Sequence, residues 1–182
     1  MKSGFVAIVG RPNTGKSTLI NSMVGQKVAI TSHHPNTTRH AIRGIVNGAD
    51  YQAVLVDTPG MHKPRTLLGA RLNEVVTESL EDVDLIIMTF PANEKIGAGD
   101  DHILQILKDS RATKIAVITK IDTVSKENLP PRLLEVGALA DWAEIIPVSA
   151  VKGIQIDLLS KDRKSTRLNS SHMSESRMPS SA

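Results

Sequence analysis

The chain has no cysteine, so neither a disulfide nor a thiolate-ligated metal can be part of it. Long apolar runs are missing too. No stretch approaches the roughly 20 residues that cross a bilayer as a helix. The short apolar run near the start leads straight into a glycine-containing loop, so no secretory leader is read there. The cytoplasm is the expected compartment. The 182 residues suit one domain with a sizeable core.

The formal net charge of +3 is unevenly placed. The tail Ser160–Ala182 holds five basic and two acidic residues, so residues 1–159 balance to zero. The basic balance therefore carries no argument for a nucleic-acid partner of the folded part. Eight of the 23 tail residues are serine, and none is glycine or aromatic. Such a segment cannot bury enough surface to offset its ordering entropy and is expected to be disordered. It resembles translated vector or adapter sequence more than a Ser/Arg-rich RNA-binding arm. Fold reasoning therefore stops at residue 159.

What is present before that point alternates strand and helix patterns. Phe5–Val9 reads as a buried strand and Lys16–Val24 as a helix ending at Gly25. Residues 26–41 are polar and read as a long loop. Ile42–Asn47 and Tyr51–Val56 flank a hairpin signal, Asn47-Gly48-Ala49-Asp50, so this pair should be antiparallel. The spacing predicts a helix over Ala70–Leu80, a strand over Asp84–Phe90 and a helix over Ala98–Ser110. In that last helix Ile103, Leu104, Ile106 and Leu107 should face inward, with Asp100 and Asp101 in the first turn. Lys114–Thr119 reads as a buried strand. Pro130-Pro131 breaks the pattern after it, so the next helix is expected over Arg132–Ala140. Glu144–Val148 is the last strand, with Pro147 marking an edge or an end. Ile154–Leu159 opens a final helix that the foreign tail cuts short, which should expose apolar surface. The fold class expected is α/β: a mostly parallel six-stranded sheet with one antiparallel strand and helices on both faces.

In such sheets ligands sit at the carboxyl ends of the strands. Four distinctive segments fall there. The first is Gly10-Arg11-Pro12-Asn13-Thr14-Gly15-Lys16-Ser17, followed by Thr18. Between a strand and a helix, this pattern wraps backbone N–H groups around a phosphate chain. Lys16 reaches the outer phosphates and the Ser17 hydroxyl suits Mg²⁺. The second is Asp57-Thr58-Pro59-Gly60, whose carboxylate can support Mg²⁺ and whose Gly60 amide can meet a terminal phosphate. The third is Thr119-Lys120-Ile121-Asp122. Its Asp can accept two hydrogen bonds from guanine, which adenine cannot donate on that edge, and the Lys120 stem can cover the base. The fourth is Ser149-Ala150-Val151, where the Ala150 N–H could reach the guanine oxygen and Lys152 flanks the base. Thr37-Thr38-Arg39 lies in the long polar loop. Thr38 there can add its hydroxyl to Mg²⁺ when three phosphates are bound. His33, His34 and His40 are read as solvated loop residues.

GRPNTGKS, NTTRH, DTPG, TKID and SA, in this order and spacing, resemble the Era GTPases over residues 4–159. The resemblance implies a P-loop NTPase fold that binds GTP and Mg²⁺ and hydrolyses GTP to GDP and phosphate. It implies a switch role in assembly of the small ribosomal subunit, with ribosomal RNA as partner, a monomeric state and peripheral membrane association. Lys16, Thr38, Gly60 and Asn13 are then the catalytic candidates, and Ser17, Thr38 and Asp57 the metal ligands. Era proteins carry an RNA-binding KH domain with a G-x-x-G loop. No glycine follows Gly153, so that domain is expected to be absent. The family's usual Asn is Thr119 here, which should weaken or rearrange that contact. Met61 stands where many GTPases place a water-orienting Gln. Asn13 matches a position that helps bind K⁺ in some relatives, implying K⁺-stimulated hydrolysis. The alternative is a non-catalytic, nucleotide-gated module that recruits a partner through its loops.

Overall fold

The computed structural model describes residues 2–24, 42–47, 51–57, 80, 83–157. Its centre is a six-stranded sheet ordered β2-β3-β1-β4-β5-β6. The strands are β1 (Lys2–Val9), β2 (Ile42–Asn47), β3 (Tyr51–Asp57), β4 (Leu85–Pro91), β5 (Thr113–Thr119) and β6 (Glu144–Pro147). All neighbours pair in parallel except β2 with β3. This is the expected mixed sheet.

Strict alternation sorts the strand side chains onto two faces. Val6 and Ile8 of β1, Leu85 and Ile87 of β4, and Ile115 and Val117 of β5 share one core. Leu19, Ile20 and Met23 of α1 (Lys16–Val24) pack on that face. The intervening Ala7, Val9, Ile86, Met88, Phe90, Ala116 and Ile118 form the opposite core. It is covered by Ile103 and Leu107 of α2 (Ala98–Lys108) and Val136 of α3 (Leu129–Gly137). Phe90 meets Trp142 edge to face, with centroids 5.8 Å apart.

Most element limits match the expected ones within a residue or two. The clearest correction is α3, which starts at Leu129 and not at Arg132. Pro130 and Pro131 sit in its first turn, where a missing N–H costs nothing because that donor has no intrahelical partner. Within α2, Ile103 and Leu107 are buried while Leu104 and Ile106 are only partly so. Pro147 ends β6, which is also an edge strand. Ile154 bridges back to Ser149, and helical conformation is seen at residues 156 and 157. The hairpin tip, the long loop, the helix expected over 70–80 apart from Leu80, and the chain beyond 157 lie outside the described residues.

Strand β1 lies between β3 and β4, with the β2–β3 pair on one side and β4 to β6 on the other, so the β1 loop opens at a topological switch point. That geometry places the first distinctive segment at the middle of the sheet's carboxyl edge.

Candidate functional site

Residues 10–15 link β1 to α1. Gly10 has φ 155° and Gly15 φ 90°, and Asn13 takes φ 63°. These left-handed turns break strand and helix pairing. Among the described residues the backbone N–H groups of Arg11, Asn13, Thr14 and Gly15 make no turn or loop bond, which leaves them to an anion. Lys16 is 7% exposed. Its ammonium donates to the Gly10 carbonyl at 2.9 Å and the Arg11 carbonyl at 2.7 Å. A buried ammonium needs such acceptors, and here the loop wraps its own cation.

A buried hydroxyl cluster supports the loop from below. Thr14 Oγ1 and Thr89 Oγ1 lie 2.7 Å apart, and Thr89 donates to the Val9 carbonyl at 3.1 Å. Thr119 Oγ1 donates to the Thr14 carbonyl at 2.6 Å. All three threonines are buried. The Thr119 hydroxyl ties β5 to the phosphate loop with one short bond. A Cβ on Gly10 would sit 2.2 Å from Thr89 Oγ1, so this position admits only glycine.

The second half of the site follows β5. Lys120 takes φ 57° and opens a short 3-10 turn, Ile121–Thr123. Thr123 Oγ1 caps it on the Lys120 carbonyl at 2.7 Å. The turn is held against the end of β6 by the Ile121 N–H to the Val148 carbonyl, 3.3 Å. Ser149 is buried and donates its hydroxyl to Asp122 at 2.5 Å. The same oxygen accepts the Lys152 N–H at 3.2 Å. The Asp122 carboxyl is held below its ordinary 3.8, first by the Ser149 hydrogen bond and also by its own backbone and Lys152, with burial opposing. Asp122 is therefore an ionised acceptor with lone pairs to spare. Ala150 is half-buried, its carbonyl within 3.4 Å of Ser22 Oγ on α1, and Val151 is exposed.

Gly10 to Ser17, Thr119 to Asp122 and Ser149 to Val151 thus converge on one edge, as the sequence indicated. Thr18 follows as an exposed residue of α1. The backbone of Asp57 closes β3 opposite Ile8. The Asp57 side chain and Thr38, Thr58, Pro59, Gly60 and Met61 lie outside the described residues. Arg11 is the surprise, because its side chain turns from the loop toward Asp100 and Glu94. Sequence reasoning missed Thr89, Glu94 and the role of Asp100. Thr89 did carry a signal, being a lone polar residue inside the apolar LIIMTFP strand.

For a divalent ion, the described residues hold no group of three or more His, Cys, Asp or Glu. They supply the Ser17 hydroxyl, beside Lys16 at the start of α1. Such a hard oxygen donor fits Mg²⁺ that takes its other ligands from phosphates and water. Among the described residues no helix is long and apolar enough to cross a membrane.

Comparison with known proteins gives a consistent picture. Residues 5–120 match the family model described as 50S ribosome-binding GTPase. GTPase Era of Leifsonia xyli subsp. xyli is 54% identical over 162 residues, which cover 88% of this chain and 54% of that protein. GTPase Era of Mycolicibacterium smegmatis is 56% identical over 161 residues, covering 87% and 54%. The chain spans about half the length of these curated relatives. A crystal structure of Era with MgGDPNP and nucleotides 1506–1542 of 16S ribosomal RNA aligns at a TM-score of 0.80 with 38% identity, covering 90% of this chain and 56% of that one. An Aquifex aeolicus Era variant bound to GDP and AlF4⁻ aligns at 0.79, also with 38% identity and with 90% and 56% covered.

Proposed function

Since the chain belongs to the 50S ribosome-binding GTPase family and corresponds to the GTPase part of Era-type proteins, we propose that it binds GTP with Mg²⁺ and hydrolyses it to GDP and phosphate. One observation carries the guanine assignment. The ionised Asp122, fixed by Ser149 at 2.5 Å, stands on the strand whose Thr119 is tied to the phosphate loop. A base donor pair on Asp122 and a phosphate chain in the loop are thereby served by one rigid edge. Guanine offers that donor pair and adenine does not.

Lys16 exchanges its loop carbonyls for phosphate oxygens and stabilises charge there, together with the loop amides. Arg11, Pro12, Asn13, Thr14, Gly15 and Thr18 contribute chiefly through the backbone. Ser17 would hold Mg²⁺, with Thr38 and Asp57 as its other protein ligands. The Gly60 amide would meet the terminal phosphate, with Thr58 and Pro59 in the same nucleotide-binding segment. Asn13, exposed at its positive φ, is suited to add an oxygen to K⁺, so hydrolysis is faster in K⁺ than in Na⁺.

Beyond this chain's own site, we place it in a longer cytoplasmic protein. There its nucleotide state would govern small-subunit assembly through ribosomal RNA. The RNA contact and any peripheral membrane contact would lie outside the described residues. The protein acts as a monomer in this reading.

Competition decides the first point. Labelled GTP should be displaced by GDP and not by a hundredfold excess of ATP; displacement by ATP sinks the assignment. Phosphate release measured in K⁺ and in Na⁺ tests the role of Asn13, and equal rates reject it. Pelleting of the natural full-length protein with small ribosomal subunits in GTP and in GDP tests the switch.

A further inference from the structure

Arg11 lies within the phosphate loop, yet its side chain is bound on the far side. Its Nε stands 2.9 Å from the Asp100 carboxylate in the first turn of α2. Its Nη2 reaches Glu94 at 3.4 Å and the Lys95 carbonyl at 3.3 Å. Asp100 is wholly buried, and its other bond accepts the Gly97 N–H at 3.0 Å. A buried carboxylate requires a cation, and among the described residues Arg11 is the one that pairs with it. The turn is also shaped for this arginine. A Cβ on Gly99 would lie 2.7 Å from Arg11 Cδ. Glu94 in turn stands 3.6 Å from Lys120 of the base-side turn.

We propose that Asp100, Gly99 and Glu94 form a cradle that positions the phosphate loop through Arg11, with Glu94 linking the same constraint to Lys120. They are positioning residues for the nucleotide and touch neither phosphate nor base. The proposal rests on the phosphate-binding role given to the loop above. Asp100 carries most of the effect because it is buried. The Glu94 contacts are 40% exposed and screened by solvent.

The test compares the whole chain with its Asp100→Asn, Gly99→Ala and Glu94→Gln variants. Asp100→Asn should weaken GDP and GTP equally, by about tenfold. The catalytic rate at saturation should change less than the affinity. Glu94→Gln should cost about twofold at low salt and nothing at high salt. Joining Arg11→Ala to Asp100→Asn should weaken binding no further than the worse single change. Additive losses mean the two residues act separately and overturn the cradle. Gly99→Ala keeps both charges and keeps the question open to measurement should Asp100→Asn fail to fold. It should displace Arg11 and lower affinity without lowering Tm, and unchanged affinity overturns the cradle. Hydrogen exchange of residues 10–16 without nucleotide gives a second readout, which should rise in Asp100→Asn and Gly99→Ala. Unchanged exchange overturns the proposal even if the unaltered chain were to bind no guanine nucleotide, a result that would separately reject the GTPase reading.

Discussion

The two ends of the site are built from different materials. The phosphate end is mainly backbone, bent by Gly10, Asn13 and Gly15 around a buried ammonium and resting on buried threonine hydroxyls. The base end is side chain on side chain: a half-exposed Asp122 fixed by Ser149. The difference follows from the ligands each end suits. A phosphate chain is a diffuse anion that any ring of N–H groups can hold. A purine edge is a pattern of donors that a placed carboxylate must match. So the phosphate end should fail through strain or lost charge, and the base end through changed selectivity.

Gly10→Ala should break the phosphate end most severely. The added methyl would meet Thr89 Oγ1 at 2.2 Å, with φ at 155°. Overpacking and backbone strain together should cost about 3 kcal/mol, read as a lower denaturation midpoint with nucleotide binding lost. Lys16→Ala should leave the fold standing and reduce GTP affinity by about 100-fold, through loss of charge-assisted bonds to phosphate; a loss under fivefold in calorimetry would contradict its role. Asp122→Asn should act differently in kind. GTP affinity should fall by about tenfold while xanthine nucleotides gain, seen by competition. A uniform loss for both would blur the contrast between the two ends. Thr119→Val, which joins them, should cost about 1 kcal/mol by leaving the Thr14 carbonyl unpaired.

The smallest effect is with pH. The folded-state pKa of Asp122 lies below its ordinary 3.8. Its ionised form therefore favours the fold, fully above pH 3.8, and that contribution is lost as pH falls through the lowered value. Ser149→Ala should move the Asp122 titration midpoint, followed by carboxyl NMR, back toward 3.8.

Much of this was legible along the chain because it is local. The phosphate loop needs only a strand, two glycines, a lysine and a helix in succession, and the alternating strands announce both cores. The Pro130-Pro131 pair misled, since the same residues that break a helix interior begin one comfortably. Arg11 was legible only as a loop residue. Its partners lie 83 and 89 positions away, and no periodicity signals a contact across that distance. Asp100 looked like an ordinary first-turn acid. Its burial, and hence its need for a cation, depends on how α2 packs over the sheet.

The sequence by itself determined the order of strands and helices, the phosphate loop and the residue types at the carboxyl edge, because each follows from local pattern and backbone chemistry. Only the tertiary structure decided that Thr119 would hold Thr14, that Ser149 would hold Asp122 and that Arg11 would turn toward Asp100. Those choices depend on which strands lie side by side and which groups are buried together, and burial obliges every polar group to find whatever partner the packing brings near.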